Sequence, residues 1–435
     1  MDAAVPLPVR RSSQAPGLYY GWIVLLVAAA AMVGTLPGRT QGLGLITEPL
    51  LAELQISRVR FAELNFWATI LGSAGAIGVG QAIDRFGSRM VLTLVTLALS
   101  LVVCAMSQTS SFTALALWMT LTRGLGQSAL SVVSIAMVGH WFVRKIDAAM
   151  AVYSIAMSVG FMIAFPLVGS LVQRWGWRAA WLAVGLGLLG ILAPVSATIV
   201  RRGPESCGLA PDGDVCEPPA HRRRENAERS RATTGYVWTE ALRTPAFWVF
   251  AVGTALYGLV ASGIGLFNES ILAQRGFSAQ IYYQTLVVTA LTALAGNFLG
   301  GWLAARVQLG RLMAISLFVL AGGLVALPHV STHAHVMIWA TAMGLGGGLV
   351  MVLFFSVWPR AFGRRHLGRI QGAAQALTVL ASALGPLLLA WCVEWTGSYA
   401  MMFRTLAGVI AFVACAALIM ADPTGDRTGP TRPEA

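Results

Sequence analysis

Long apolar runs, each of about 18 residues or more, are separated by short polar stretches along almost the whole chain. They fall near 20–46, 61–81, 90–108, 112–138, 149–172 and 178–199, and then near 246–272, 281–304, 312–329, 335–357, 370–392 and 400–421. As α-helices, runs of this length cross the hydrocarbon core, and the longer ones do so with tilt. The pattern therefore predicts an all-α polytopic membrane protein of twelve transmembrane helices, with both termini on one side. Residues 1–19 form a polar N-terminus, 20–199 a first six-helix bundle, 200–245 a linker, 246–421 a second bundle, and 422–435 a tail.

The two bundles repeat. Gly80 and Gly301, Arg85 and Arg306, and Gly176 and Gly397 are each 221 residues apart, and Pro166 and Pro386, like Arg144 and Arg364, are 220 apart. A near-constant offset over such distances marks duplicated six-helix halves. The linker breaks the pattern with Pro204, Pro211, Pro218, Pro219 and the run Arg222–Arg224, a composition that suits a partly disordered connection with some surface helix.

Composition agrees with the pattern: 57% of the 435 residues are hydrophobic and 11% charged, with mean hydropathy +0.71. The net charge of +12 would suit nucleic acid, but the arginines lie in short loops between apolar runs and form no basic patch with interleaved aromatics, so no nucleic-acid partner is expected. With the ends and alternate loops placed in the cytoplasm, 22 of the 30 Lys and Arg fall there, and the lipid bilayer is the expected surrounding. Arg10-Arg11 looks like a twin-arginine export signal, yet the apolar run behind it reads as an uncleaved first helix. The expected location is a plasma membrane of the bacterial inner-membrane kind. Cys104, Cys392 and Cys415 lie within apolar runs, and Cys207 and Cys216 lie in the linker, so no disulfide framework is implied.

The stretch Gly80 to Arg89, reading GQAIDRFGSR, is wedged between two membrane-length runs. Gly80 permits close helix approach, Gly87 gives a permissive backbone, and Arg85 and Arg89 suit the headgroups. Asp84 is costly at the edge of hydrocarbon. It reads either as a solvated topology marker or as a conformational latch that docks at the helix N-terminus near Leu367 to Arg369.

This loop resembles the one between the second and third helices of the major facilitator superfamily, whose pattern is Gly, three residues, Asp-Arg, one residue, Gly, then basic residues. Ser88 stands where a further basic residue is usual. Arg123-Gly124-Leu125-Gly126 is similar to a second motif of that superfamily, and Gly160 through Pro166 to Gly169 resembles a third in degenerate form. Tyr20-Gly21-Trp22, Trp141-Phe142-Val143-Arg144-Lys145, Pro204-Glu205 and Gly208-Leu209-Ala210-Pro211-Asp212-Gly213 resemble the branch of monocarboxylate porters and oxalate/formate antiporters. The resemblance implies the major facilitator fold and secondary transport by alternating access. That branch commonly carries an Asp and an Arg four residues apart in span eight; here Ala293 and Asn297 take those places, which puts proton-coupled transport by such a pair in doubt.

Few polar groups are left for a substrate. Arg39, after Pro37-Gly38 inside span one, has no acid in its own apolar run and suits an anion; the alternative is that it snorkels outward or pairs with Glu48 or Glu269. Arg123 in span four takes a structural or coupling role by resemblance. Asn268 and Glu269 in the outer part of span seven, and Asn297 in span eight, complete the candidate substrate-binding set. Glu269 is the candidate for a coupling proton, against the plainer reading of a helix-end carboxylate. His329, His333 and His335 have metal-like spacing but read more simply as a solvated loop, and Trp67, Trp118, Trp339 and Trp358 read as interface anchors.

Lys145 has no glycine-rich phosphate loop before it, and no nucleophile or metal set stands out, so neither an ATP-driven pump nor an enzyme is expected, and no cofactor. What remains is a secondary transporter, or a channel-like facilitator or signalling receptor on the same fold; the Asp84-Arg85 latch favours a transporter working by alternating access on a small molecule, an organic anion such as a monocarboxylate by Arg39 and the resemblance. An efflux carrier for a lipophilic or drug-like compound is the alternative.

Overall fold

The computed structural model describes residues 19–74, 78–142, 145–201, 203–207, 209, 212, 236–362 and 367–419, and every regular element among them is helical. In the first half these are α1 (Tyr20–Gly34), α2 (Thr40–Gly44), α3 (Thr47–Leu54), α4 (Arg58–Ser73), α5 (Val79–Phe86), α6 (Ser88–Ser107), α7 (Phe112–Thr122), α8 (Ser131–Trp141), α9 (Ile146–Gly187) and α10 (Ala193–Thr198). A short α11 (Trp238–Arg243) then leads into α12 (Pro245–Ala273), α13 (Ala279–Ala304), α14 (Leu309–Ala326), α15 (His333–Phe362), α16 (Leu367–Thr396) and α17 (Ala400–Ile419).

Ten helical stretches among the described residues are long and apolar enough to cross a membrane. One of them, Ala148–Thr198, is 51 residues long and turns back at Gly176, whose φ of 80° and ψ of 165° lie outside the helical region, so it supplies two crossings. α4 and α5 share the run expected at 61–81 and supply another. Apolar side chains such as Ile191, Trp395, Phe412 and Ile419 point outward, as a lipid solvent allows.

The repeat is visible in the backbone. Gly176 and Gly397 both take positive φ, 80° and 71°, at the turns before the last helix of each half. Gln55 (φ 53°) and Gly276 (φ 81°) are also 221 apart, and each leads to a serine N-cap, Ser57 or Ser278. The first half tolerates a glutamine where the second uses the residue that suits a left-handed conformation.

Close packing in the second half relies on glycine. A Cβ on Gly385 of α16 would lie 2.0 Å from the Leu259 carbonyl oxygen of α12, and one on Gly348 of α15 would lie 2.3 Å from Ala293 O of α13. Between the halves, α4 packs on α16, α9 on α13, and α2 on α12. Gly169 of α9 has the Tyr283 ring of α13 where its Cβ would go, 2.5 Å away. These contacts join the halves at the end opposite the linker.

That end is braced within the first half as well. Glu53 of α3 accepts from Trp177 Nε1 at 2.5 Å and from Arg178 Nε at 2.7 Å, and Arg178 also donates to the carbonyls of Ser107 and Thr109. The Trp residues divide: Trp67 faces outward, whereas Trp339 and Trp358 are buried, and Trp358 packs on Phe247 and Phe362. The reading of all four as interface anchors is corrected for those two, which fill the interior of the second half.

Two stability tests follow from this packing. Gly385→Ala should destabilise the protein by about 1–3 kcal/mol, because a backbone carbonyl cannot step aside, while Gly372→Ala on the same helix, with open space at its Cβ, should be neutral or stabilising. Thermal unfolding in detergent reads both, and equal shifts would contradict the packing. The hydrogen bonds from Arg178 and Trp177 hold the Glu53 carboxyl below its ordinary range, so its contribution is present above the ordinary carboxylate range and fades as pH falls through the lowered value. Glu53→Gln should therefore lower the melting temperature near neutral pH, and the gap to wild type should close under acid conditions.

Candidate functional site

The first crossing is not one helix. α1 ends at Gly34, a 3-10 turn covers Leu36–Gly38, Arg39 is extended (φ −92°, ψ 151°), and α2 starts at Thr40. Pro37 and Gly38 make this break: proline lacks a backbone N–H, and Gly38 lies so close to the next segment that a Cβ would sit 2.3 Å from Thr122 O. The expectation of a continuous span over 20–46 is corrected here.

Arg123 meets the break. It opens a π-helical segment, Arg123–Leu130, between α7 and α8, and is 1% exposed. Its Nη1 donates to Gly38 O at 3.0 Å, Thr40 Oγ1 at 3.0 Å and Gln127 Oε1 at 2.7 Å, and its Nη2 donates to Asn65 Oδ1 of α4. One guanidinium thus holds the break in the first crossing, the start of α2, α4 and its own segment together. Wide π turns mark interrupted helices, and Gly72 of α4 lets this one approach, since a Cβ there would lie 2.6 Å from Arg123 Cβ.

Arg39 is half-buried and reaches back along the first crossing. Its Nε donates to Thr35 Oγ1 at 2.6 Å, its Nη2 lies 2.8 Å from Met32 Sδ, and its Cζ is 5.3 Å from the centroid of the Phe161 ring. Phe161 stacks on Phe165, with centroids 5.5 Å apart. No acid bonds to Arg39 among the described residues. Glu48, one proposed partner, is taken by Arg58 at 2.5 Å.

The remaining candidates are distributed over the second half. Asn268 Nδ2 donates to Thr285 Oγ1 at 3.2 Å, tying α12 to α13, while its Oδ1 is buried without a partner. Glu269 Oε2 and Asn297 Oδ1 are also buried without partners. Asn297 borders the contact of α13 with α15, where a Cβ on Gly348 would meet its backbone nitrogen at 2.7 Å. Glu269 lies one turn beyond Gly265, which touches Gly44 of α2.

This contact reveals a signal that the sequence reading above missed. Gly42-Leu43-Gly44-Leu45-Ile46-Thr47-Glu48 and Gly263-Ile264-Gly265-Leu266-Phe267-Asn268-Glu269 are the same pattern at the offset of 221. Comparing the halves residue by residue over the ends of the first and seventh spans would have found it.

Of the expected latch, α5 carries Gly80, Asp84 and Arg85; Gly87 takes a positive φ of 82° between α5 and α6; and Arg85 and Arg89 are exposed. The Asp84 side chain and residues 363–366 lie outside what the structure describes, and so does the docking expected for it. Three of the branch-like motifs converge at the linker end of the first half. Tyr19 donates to Trp141 O at 3.0 Å and Tyr20 to Ile199 O at 2.6 Å, Trp22 packs on Phe142, and Lys145 N and Nζ donate to Asp212 at 3.1 and 3.2 Å. Those motifs hold one end of a bundle together and touch no substrate candidate. His333 Nε2 lies 2.9 Å from Gln284 Oε1 and His335 Nδ1 is 3.4 Å from Ser331 Oγ, and no group of three metal-ligand residues comes together among the described residues.

Comparison with known proteins places this architecture. The Major Facilitator Superfamily profile matches residues 22–332 and 250–435. Monocarboxylate transporter 11 of Mus musculus is 28% identical over 414 residues, covering 90% of this chain and 85% of its own length. The hexuronate transporter of Bacillus subtilis is 21% identical over 359 residues, covering 79% of this chain and 81% of its own. A bacterial homolog of the human lysosomal transporter Spinster, solved inward-facing and unoccupied, shares the fold with a TM-score of 0.63 at 16% identity, over 92% of this chain and 94% of that one. Relatives that are transporters rather than enzymes, and a profile that spans both halves, make the chain an integral membrane transporter of the Major Facilitator Superfamily.

Proposed function

We propose that this transporter carries a small organic anion, of the monocarboxylate kind, by alternating access, with Arg39 as the residue that holds the charge. The observation that carries the reading is Arg39 itself: a half-buried guanidinium beside a helix break, bonded to a hydroxyl and a thioether and to no acid. Discontinuous helices place polar groups at midmembrane sites in other carriers, and a planar two-point donor suits a carboxylate. The names of two relatives point the same way, since monocarboxylates and hexuronates are both organic anions. Asn297, with its orphaned oxygen, is the next candidate; Asn268 spends its amide on Thr285.

Arg123 is assigned to architecture, because its terminal nitrogens are spent on groups from three segments. We place the linker end in the cytoplasm, from the basic loops it carries, and the Gly44–Gly265 contact toward the outside. The latch at Asp84 and the boundaries of the two bundles remain part of this proposal.

Uptake into proteoliposomes separates these roles. Arg39→Lys keeps the charge and loses the fork, and Arg39→Gln loses both. Affinity should fall from wild type to Lys to Gln, by roughly ten- to a hundred-fold for the loss of one charge-assisted contact, while the protein stays folded. Wild-type affinity in a stable Arg39→Gln protein would instead favour the lipophile-efflux alternative. Arg123→Leu should behave differently. It orphans Gly38 O and Asn65 Oδ1 at a cost of about 1–2 kcal/mol each, so the melting temperature in detergent should fall, with Arg123→Lys in between. An Arg123→Leu protein of wild-type stability would contradict the architectural role.

A further inference from the structure

Gly44 and Gly265 are equivalent positions in the two halves, and they touch: a Cβ on Gly44 would lie 2.1 Å from Gly265 O. Equivalent residues meet only where the axis relating two copies passes. Glu48 and Glu269 are also equivalent, four residues beyond this contact in each half. The two crossings run in the same direction, so both acids rise from the contact on the same side of the protein. α3, which carries Glu48, packs against α12, which carries Glu269.

Their surroundings are unequal. Glu48 Oε2 is 2.5 Å from Arg58 Nη2, whereas the position equivalent to Arg58 is Ala279, so the second half supplies Glu269 with no arginine. Glu269 Oε2 is buried without a hydrogen-bond partner. The hydroxyl of Tyr282, a residue 1% exposed, lies 3.4 Å from where a Gly44 Cβ would stand, and it too has no partner. A second negative charge in a contact that already holds Glu48 is costly without its own cation. A neutral carboxyl avoids that cost and brings an O–H that a neighbouring oxygen can accept.

We propose that Glu269 is the proton-binding residue of the gate at the end opposite the linker, which shuts with a proton on Glu269 and releases it to the medium when the halves part. The inference rests on the alternating-access reading but not on an anion at Arg39. Tyr283 of α13 lies next to Tyr282, Tyr399 just before α17 donates to Ser270 beside Glu269, and Glu394 of α16 lines a groove with Glu48; Arg58 is committed to Glu48, and Arg275 beyond the end of α12 is exposed. His333 at the start of α15 is bonded to Gln284. A groove of about 410 Å³ lined by Glu48, Arg58, Val393 and Glu394 opens beside the Glu48 side of the contact.

The test needs no substrate. Gln41 is half-buried and lies against Gly265, its Cγ 3.2 Å from where a Gly265 Cβ would stand, so a cysteine there is partly shielded while the gate is shut. In full-length protein with its own cysteines replaced, Gln41→Cys in proteoliposomes is labelled with a membrane-impermeant maleimide added on the side opposite the linker. After correction for thiolate formation, measured on a cysteine at exposed Ser57, labelling should speed up as pH on that side rises from about 5 to about 8, by at most about tenfold per pH unit for one proton. Adding Glu269→Gln should leave labelling slow and flat with pH. Should that variant not fold, Glu48→Gln, which removes the facing charge, must flatten the dependence. A pH-independent wild type, an unchanged slope in the Gln variants, or a rate set by sodium at fixed pH would each overturn the assignment.

Discussion

A helix that stops inside hydrocarbon leaves carbonyls that no water can satisfy, so the first crossing can break only where another part of the protein supplies donors. Arg123 supplies them. Its guanidinium bonds to Gly38 O at the break, to Thr40 where the chain resumes, and to Asn65 on a third segment. Because the break is held from outside, Arg39 is released from helical geometry and its side chain can reach back to Thr35 and Met32. The two arginines are thus linked as cause and consequence: one completes the fold, and the completed fold leaves the other with a charge to share.

The positions of the crossings were legible in the sequence because hydropathy acts over whole helices, and the halves were legible because an offset of 221 or 220 repeats at Gly80, Arg85, Pro166 and Gly176. Glycine confirmed the repeat where it mattered physically, at the positive φ of Gly176 and Gly397. What the sequence hid depends on partners far along the chain. Nothing local to Leu36–Arg39 tells whether Pro37 bends a helix or ends it; the answer lies in Arg123, more than 80 residues away. Trp339 and Trp358 resembled interface anchors because burial by neighbouring helices leaves no mark in their own segments.

The halves share a backbone but not a chemistry. Arg39, Arg58 and Asp84 stand opposite Val260, Ala279 and Ala305, and matching Gly124-Leu125-Gly126 to Gly344-Leu345-Gly346 sets Arg123 opposite Met343. In the first half, charge and hydrogen bonds hold an interrupted helix; in the second, Gly296, Gly344, Gly348 and Gly385 let unbroken helices pack backbone to backbone. The two halves share one frame, and the second, which lacks these charges, is held by close helix packing instead.

Glu269 is the exception that this asymmetry makes informative. It matches the acid of its equivalent, Glu48, but Ala279 stands where the first half has the arginine that neutralises that acid. Had both halves kept the pair, two ion pairs would face each other across the axis and the contact would carry no net charge. Had both lost it, nothing there would titrate against the closing of the halves. With one arginine for two acids, one negative charge is left over where Gly44 and Gly265 bring the backbones together, and shutting that end requires the charge to be dealt with. An uneven duplication thus turns a symmetric contact into a site where proton occupancy and the approach of the two halves depend on each other.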